Sequence, residues 1–559
     1  LLSPGEHRMS SPSNQRWQLS DIPVPLDEAR GILEVATQTV AHRLNLNTED
    51  VEKPVIEARS IDSRGKRPRF RVTLSFGLGR TPSTKKLKQL QIRKERIDTH
   101  FKVKASIDQP RPVVIGAGPA GIFAAYTLAE AGLKPIIIER GRAVEKRGRD
   151  VSGLYSKGIL NPESNVCFGE CGAGTYSDGK LYTRVTDGRV RRLYQWMVKH
   201  GAPEDILVNT KPHVGTDKLV KLLRSVRAYL ESLGAEYHFE TKCVGLELRE
   251  QTICGIRATH LGTEKLYKTD HVICATGHSA HDMWKLLEDS GAQLEARPFA
   301  VGFRIEHPQA LIDEARYGMK ERHPELPASD YRLAYTEPDG AQRGIYSFCM
   351  CPGGVVVTTP TVEGGLCING MSHAARSGRF ANSAMVVTVG PEDFAREGFH
   401  GTFAGAEFQR QCEERAYQRG NGSFQAPSLR VTDYLNGTLS QDLPASSYRR
   451  GLVAAKLDGI YPSYIDDSLR NALTKFEDKL PGFLSSEAKL IGVETRTASP
   501  IRVLRHKDTL QTNGIIGLYP VGEGMGYGGG IASAALDGIR SAEALLKALG
   551  AEQERVVQR

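Results

Sequence analysis

A chain of 559 residues is too long for one ordinary domain, so roughly two to four packed units are expected. Its 40% hydrophobic and 25% charged residues are typical of soluble globular proteins, and its 57 glycines follow no period, which excludes collagen-like and low-complexity structure. The net charge of +9 is modest for this length and favours anionic ligands without identifying one. The nine cysteines fit no disulfide framework, which predicts a reducing, cytoplasmic location.

Residues 1–108 are predicted to form a small N-terminal α+β module. The helix is predicted from apolar side chains at helical spacing, namely Leu33, Ala36, Val40 and Leu44. Residues 70–76 alternate apolar and polar side chains, as in a half-buried strand. One helix packed on a small sheet is the simplest arrangement, and the segment DQPRP at 108–112 then breaks the chain.

A Gly-rich motif comes next. Residues 113–115 form a buried strand, and Gly116, Gly118 and Gly121 match G-x-G-x-x-G before an Ala-rich helix. The first glycine permits a tight turn, the second lets backbone approach a pyrophosphate, and the third lets helix and strand pack closely. Glu139 ends the following strand and is placed to accept hydrogen bonds from ribose hydroxyls. The motif predicts a dinucleotide and fits NAD and FAD equally; Pro119, Ala120 and Arg140 are also predicted to contact it.

The C-terminal loop GEGMGYGGG contains the same glycine pattern after a strand and before a helix. Only about ten polar residues remain after that helix, too few for another crossover and strand, so the loop cannot open a complete βαβ unit. We interpret it as the second half of an FAD site, in which Gly522 and Glu523 meet the ribityl chain and pyrophosphate. The helix beginning near Gly530 would point its positive end at the flavin and stabilise the reduced form by roughly 0.3–2 kcal/mol. The strand VICATG closes the dinucleotide domain, and the remaining predicted contacts are Ala275, Thr276, Gly277 and Ile531.

The loop FGECGAGTYSDGKL at 168–181 is predicted to cradle the cofactor, although a simple surface loop is the alternative. Its cofactor-binding candidates are Gly172, Gly174, Ser177, Gly179 and Lys180. A redox dithiol of Cys167 and Cys171 is disfavoured, because the spacing is C-x3-C and no second complete nucleotide fold would receive NAD(P)H. Cys349 and Cys351 make no metal set, since four ligands at workable spacing are missing, and no metal site is expected. Small buried hydrophobic residues are the preferred interpretation of both cysteine pairs.

At this point the chain resembles a known family. It carries in order IGAGPAGIFAAYTLAEAG, NVCFGECGAGTYSDGKLYTR, VICATGHSA, RPFAVGFRIEHPQ, RGIYSFCMCPGG, INGMSHAARS, VETRTASP and YPVGEGMGYGGGIASAALDGIRSAE. This order is similar to bacterial FAD-dependent dehydrogenases of the glutathione-reductase-like flavoprotein superfamily, which have two dinucleotide-binding domains. The resemblance covers nearly the whole chain and implies non-covalent FAD, an α/β cofactor domain and a β-rich substrate domain, without implying a known reaction. Cys171 stands where family members usually have glycine, which weakens any inference about backbone approach there.

Four polar residues are predicted to lie nearest the substrate side of the flavin as catalytic candidates: Arg304, His373, Arg496 and Tyr527. A histidine can exchange a proton near neutral pH, and an arginine can fix a carboxylate or negative charge on the flavin. Tyr527 could stack on the ring or donate a proton. The alternative for the charged residues is an ordinary ion pair or a hydrogen-bonded core histidine.

The fold class expected is α/β, with a discontinuous Rossmann-like FAD-binding domain, an inserted β-rich α+β substrate domain and the small N-terminal α+β domain. The predicted bounds are 1–108 for the N-terminal module, 109–285 and 486–559 for the two parts of the FAD-binding domain, and 286–485 for the β-rich domain with a helical insert. The function expected is an FAD-dependent oxidoreductase that exchanges a hydride between flavin N5 and a small-molecule substrate. A flavin-dependent monooxygenase and a flavin-containing RNA-associated or scaffold protein are the alternatives.

Partners are predicted only in outline. A small-molecule substrate is expected, with a separate electron donor or the substrate itself as reductant. The basic run KKLKQLQIRKER at 85–96 motivates the RNA alternative, but a solvated helix or linker face is preferred and no nucleic acid is expected. No membrane span is expected, because the uncharged run 113–129 is short, Gly-punctuated and followed by Glu130 and Lys134.

Overall fold

The computed structural model describes residues 16–65, 67–92, 96–102, 110–183, 185–338 and 343–558. Its N-terminal unit is a four-stranded sheet of order β2-β3-β1-β4 with helix α1 packed on it, as predicted. Ala36, Val40 and Leu44 are buried on α1, but Leu33 is exposed because the helix presents it to solvent. The predicted chain break at 108–112 begins outside the described residues. Residues 93–95 of the basic run also lie outside them. The elements are β1 (Trp17–Pro25), α1 (Ile32–Leu44), β2 (Val51–Asp62), β3 (Arg69–Leu78), α2 (Thr84–Leu87), β4 (Gln91–Ile92) and β5 (Arg96–Lys102).

A parallel sheet of order β23-β12-β6-β7-β8 forms the centre of the second unit, and the loop after β6 lies near its middle. Alternate residues of its strands pack on helices α3, α6 and α13 on one face, and on α7 and the antiparallel strands β9–β11 on the other. The elements up to the large sheet are β6 (Val113–Ile115), α3 (Pro119–Glu130), β7 (Ile136–Ile138), α4 (Val144–Lys157), α5 (Arg189–Lys199), α6 (Thr216–Ser232), β8 (Glu236–His238), β9 (Thr241–Arg249), β10 (Thr252–His260), β11 (Thr263–Lys268), β12 (Val272–Cys274), α7 (His281–Asp289) and β13 (Leu294–Ala296).

A large, mostly antiparallel sheet of order β15-β16-β18-β14-β21-β19-β20, with β17 beside β16, forms the third unit. Its strands share a core with helices α8 to α12. The elements are β14 (Phe299–Pro308), α8 (Gln309–Tyr317), β15 (Ala334–Thr336), β16 (Gly344–Thr358), β17 (Ile368–Met371), β18 (Phe380–Val389), α9 (Pro391–Arg396), α10 (Ala404–Arg419), β19 (Ala426–Arg430), α11 (Val431–Leu435), β20 (Leu452–Ala454), α12 (Ser463–Lys479) and β21 (Lys489–Glu494). β21 belongs to this sheet although it follows residue 486, and the predicted domain bounds stay a prediction.

The chain then returns to the parallel sheet through β22 (Ile501–Val503), β23 (Leu518–Pro520) and α13 (Ile531–Ala548). This return confirms the expected fold class, in which the nucleotide-binding unit is discontinuous. One more strand follows the last helix, which the sequence analysis did not predict. β24 (Glu552–Gln558) pairs antiparallel with β5, but it does not join the parallel sheet and so completes no second βαβ unit.

None of the helices that the structure describes is long and apolar enough to cross a membrane.

Candidate functional site

The loop after β6 is shaped by its three glycines. Gly116 has a φ of 100°, and a Cβ there would lie 2.5 Å from the Ala275 carbonyl oxygen, so only glycine makes this turn without strain. A Cβ on Gly121 would overlap the Gly116 carbonyl oxygen, which explains the close packing of α3 on β6. A Cβ on Gly118 would instead meet nothing nearer than 3.9 Å. The middle glycine therefore faces open space at the start of α3, where the first backbone N–H groups have no partner within the helix.

Glu139 holds three loops together. One carboxylate oxygen accepts the Ala117 N–H at 2.8 Å, and the other accepts the N–H groups of Gly141 at 2.9 Å and Gly169 at 3.0 Å. The side chain is buried but still borders the cavity described below. Glu139 was predicted from its position after β7 as a ribose acceptor, and the structure adds that it fixes the loops around that position.

The Gly-rich loop at 168–181 is built around one arginine. Arg147 on α4 is fully buried and lies against the Tyr176 ring at 5.0 Å. Its guanidinium donates to the backbone carbonyls of Asn165, Val166, Glu170 and Gly172 and to the Thr175 hydroxyl, at 2.6–3.1 Å. Because each of its nitrogen atoms is used, this one residue fixes the path of the loop.

Cys171 occupies a left-handed backbone conformation in the same loop, with a φ of 64°. Its N–H donates to the Ala117 carbonyl at 2.6 Å, which ties this loop to the loop after β6. Glycine adopts this conformation more readily than cysteine. The position therefore suits glycine, and the cysteine there costs backbone strain.

The C-terminal loop closes the site from the other side. A Cβ on Gly522 would lie 2.7 Å from the Ala120 Cβ, and a Cβ on Gly538 of α13 would overlap the Ala120 carbonyl oxygen. The first turn of α3 thus packs against both the C-terminal loop and the middle of α13. The Gly522 N–H donates to Asp537 at 2.8 Å, and Asp537 in turn pairs with Arg505 at 2.6 Å.

One cavity of about 1170 Å³ joins these loops. Gly277, Gly529 and Gly530 border it, and a Cβ on any of them would meet nothing within 4 Å. The predicted cofactor-binding residues that line it are Gly116, Gly118, Pro119, Ala120, Glu139, Arg140, Gly172, Gly174, Ser177, Lys180, Ala275, Thr276, Gly277, Gly522, Glu523, Gly530 and Ile531. Gly121 and Gly179 lie behind the lining; a Cβ on Gly179 would be 2.7 Å from the Gly215 nitrogen. The contacts of these residues with a cofactor stay a prediction.

The four predicted catalytic residues are not brought together. Arg496 lines the cavity and is held by Glu413 at 2.7 Å. The other three are absent from its lining. Arg304 is fully buried in a two-point pair with Glu494, at 2.7 and 3.0 Å. His373 has 69% of its side chain exposed, and the Tyr527 hydroxyl donates to the Val503 carbonyl at 2.9 Å.

Two other ionisable residues at the cavity, Arg376 and His278, were missed by sequence reasoning. Arg376 pairs with Asp178, whose other neighbour is the Lys180 ammonium at 2.9 Å. Burial alone would raise the pKa of Asp178, but the two cations lower it to about 2. His278 follows the Gly277 turn, where burial and then Arg496 lower its pKa to about 4, so the imidazole is neutral at pH 7. Its position after a strand that ends at the cavity is the signal that could have identified it.

Comparisons with known proteins bear on this site. The chain is 40% identical over 541 residues to an uncharacterized protein of Clostridium beijerinckii, covering 95% of this chain and 98% of that protein. A family model described as pyridine nucleotide-disulphide oxidoreductase matches residues 110–297, and one described as FAD-dependent protein, C-terminal domain-like, matches residues 298–497. The chain belongs to a family of FAD-dependent oxidoreductases. The flavoprotein is also 25% identical over 174 residues to digeranylgeranylglycerophospholipid reductase 1 of Methanococcoides burtonii, covering 30% of this chain and 38% of the reductase.

Among solved structures, the flavoprotein is similar to a geranylgeranyl bacteriochlorophyll reductase-like protein from Thermoplasma acidophilum. The match has 16% identity and a TM-score of 0.34 and covers 79% of this chain and 78% of that one, values too low to carry an argument about function.

The geometry of the cavity fits FAD, which is the cofactor of the flavoprotein. The open face of Gly118 and the start of α3 suit a pyrophosphate, and Glu139 stands beside them for a ribose. Gly522, Glu523 and the start of α13 border the same cavity. Bound FAD would supply the redox chemistry, and these residues would bind it and orient it.

The described residues bring together no cluster of three His, Cys, Asp or Glu side chains that could hold a metal ion.

Proposed function

We propose that the flavoprotein exchanges a hydride between FAD and a small organic substrate held in the same cavity. The observation that carries the proposal is the extent of that cavity. Its volume of about 1170 Å³ exceeds the roughly 300–1,000 Å³ of an ordinary ligand pocket, and it continues past the nucleotide-binding loops into the large sheet. Room therefore remains for a second ligand beside the cofactor.

The far end of the cavity indicates the class of substrate. It is bounded by an aromatic wall that we define as Tyr331, Tyr335, Tyr346 and Phe348. Aromatic rings stabilise flat or apolar ligands by stacking and by excluding water. The wall therefore favours a substrate with an aromatic or apolar body.

The charges beside the wall are only partly compensated. Lys211 pairs with Asp330 at 2.7 Å, whereas Lys180 and Arg376 share the single carboxylate of Asp178. Arg332, next to Tyr331, also lines the cavity and lies 5.9 Å from the centre of the Tyr182 ring. The positive charge that remains favours a substrate with a negatively charged group on its aromatic or apolar body.

The test is anaerobic mixing of the oxidised holoprotein with a panel of aromatic and apolar alcohols and amines deuterated at the carbon to be oxidised. The expected result is loss of the visible flavin absorbance without oxygen, slowed by the deuterium. Phe348→Trp, which narrows the far end of the cavity, should raise the KM, whereas the matched control Phe399→Trp, away from the cavity lining, should not. Oxidation that requires oxygen and incorporates labelled dioxygen into the product would contradict the proposal and favour the monooxygenase alternative.

We extend the proposal to ancestry: the order of motifs along the chain supports membership of the glutathione-reductase-like superfamily. A structure of the holoprotein with FAD extended across the parallel sheet from β6 to the start of α13 would support this placement. FAD bound in another orientation would contradict it.

A further inference from the structure

Two cysteines of the large sheet lie at the cavity and have no part in the proposed substrate site. Cys349 lines the cavity, and Cys351 is fully buried behind it. Both belong to β16, where the register with β18 shifts between Phe348 and Cys351. Cys349 has a φ of 46°, an unfavourable conformation for a residue with a side chain, and it persists because the surrounding sheet holds it. The irregular strand thus keeps two thiols side by side at the cavity wall.

Two cations, each paired with a carboxylate, lie beside these cysteines. The Lys180 ammonium lies 4.0 Å from the Cys351 sulfur, and the Arg304 guanidinium lies 3.4 Å from the Cys349 carbonyl oxygen. A hydrogen bond from Cys351, then the charges of Lys180 and Arg304, lower the pKa of the Cys349 thiol below its ordinary value. The same hydrogen bond and burial raise the pKa of Cys351. These contacts favour ionisation of the Cys349 thiol over ionisation of the Cys351 thiol.

Other cysteines of the chain contrast with Cys349. Burial raises the pKa of the thiol in each of the following: Cys171, Cys243, Cys274, Cys367 and Cys412. These are inert, small apolar side chains, as the sequence analysis expected of Cys171. The interpretation of Cys349 and Cys351 as the same kind of residue does not explain the left-handed backbone, the adjacent ammonium or the position at the cavity.

The pair also lies within electrostatic reach of the cofactor loops. The charge of Cys349 contributes to the raised pKa of Glu523, and both residues line the one cavity. We propose that Cys349 and Cys351 are a redox-active dithiol that exchanges two electrons with the FAD. In this step the Sγ–Sγ bond forms, and the two thiols give up two electrons and two protons. Oxidised FAD takes up these electrons and protons and becomes the reduced cofactor. The reverse step reopens the disulfide. The proposal rests on the FAD dependence of the family and not on the proposed substrate.

In the test, electrons enter the protein only through the flavin, and the redox state of the two thiols is measured. The holoprotein is treated with a small disulfide oxidant, desalted and kept anaerobic; one half is illuminated with EDTA, which photoreduces the flavin, and the other half is kept dark. Both are denatured in iodoacetamide and digested with trypsin. Cys349, Cys351 and Cys367 fall in one tryptic peptide, 344–376, so Cys367 serves as an internal control for alkylation.

In the dark sample, Cys349 and Cys351 should be unlabelled and their peptide lighter by two hydrogen atoms, whereas after illumination both should be alkylated. Cys351→Ser should give, in the dark, a Cys349 that is free or carries the oxidant as a mixed disulfide, and never a peptide lighter by two hydrogen atoms, because the second thiol of the pair is missing. Cys254→Ser, at an exposed cysteine on β10, should behave as the wild type. Equal labelling of the pair in the dark and in the light would overturn the proposal. So would a disulfide that survives complete reduction of the flavin. Neither result depends on a substrate, so the proposed hydride exchange stands or falls separately.

Discussion

Glu523 makes the stability of the FAD-binding loops depend on pH. Burial, partly offset by a hydrogen bond from the Gly530 N–H and reinforced by Cys349, raises its pKa from 4.5 to about 7. The folded protein therefore keeps a proton that the unfolded chain releases, so the free energy of unfolding falls as the pH rises from 4.5 through about 7. This difference in the pKa of Glu523 between the folded and the unfolded protein corresponds to at most about 3 kcal/mol in the free energy of unfolding. Because the carboxyl borders an open cavity, solvent screens part of the effect, and we expect about 1–2 kcal/mol.

Glu523→Gln keeps an acceptor for the Gly530 N–H but cannot ionise. Relative to the wild type, it should gain about 1–2 kcal/mol in the free energy of unfolding between pH 5 and pH 8.5 in FAD-free protein. Trp284 reports on this loop, because its indole N–H donates to the Gly524 carbonyl at 2.7 Å. Urea unfolding followed by its fluorescence, with Trp17 and Trp196 replaced by Phe in every variant, measures the difference. Glu321→Gln, at an exposed position, should show no such change. An effect of Glu523→Gln that is equal at both pH values would refute the reasoning.

Three further predictions concern the cofactor. Gly118→Val should abolish FAD binding with little loss of folding, because its side chain would enter the cavity. The control Gly188→Ala, also at a glycine that faces open space, should retain full FAD. The flavin content of each variant after desalting measures the difference. In Arg147→Lys, the lysine cannot donate hydrogen bonds to all five acceptors of Arg147, so the free energy of unfolding in urea should fall by about 3–5 kcal/mol. A fall below about 1 kcal/mol would mean that the Gly-rich loop keeps its conformation without Arg147. Among the described residues, one parallel sheet carries a dinucleotide-binding loop, so NADH or NADPH should reduce the flavin only slowly under anaerobic conditions. Fast bleaching of the flavin that saturates at micromolar NADH or NADPH would contradict this prediction.

The parts of the site that follow local rules could be predicted from the sequence. Gly116 and Gly121 are needed by a turn and by a helix contact that involve nearby chain, so their spacing alone indicates the loop. The return of the C-terminal segment to the parallel sheet was inferred because its glycine loop lacked the rest of a βαβ unit. β24 was missed because its partner is β5, more than 400 residues earlier, and no local pattern records that pairing.

Residues whose role depends on distant partners could not be interpreted from the sequence. Arg147 stands in the charged run EKRGRD, which is typical of a solvated helix, yet it is buried against the carbonyls of a loop about 20 residues away. Cys351 acquires its chemistry from Lys180, which precedes it by 171 residues. For Leu33 the error was the opposite, because it was predicted on the apolar face of α1 but is exposed. Helical spacing identifies an apolar face but not where that face ends.

The discontinuity of the nucleotide-binding unit couples cofactor binding to folding. Ala120 follows the first glycine loop and lies against Gly522 and Gly538, so the two halves of the FAD site exist together only when α13 has packed on α3. A ligand that binds only the folded state at 100 times its Kd stabilises that state by about 2.7 kcal/mol. FAD that contacts both loops therefore stabilises the docking of the C-terminal segment as well as its own site. Since β14 to β21 lie in sequence between those halves, we expect removal of FAD to loosen the large sheet, with Cys349 and the aromatic wall, as well as the C-terminal segment.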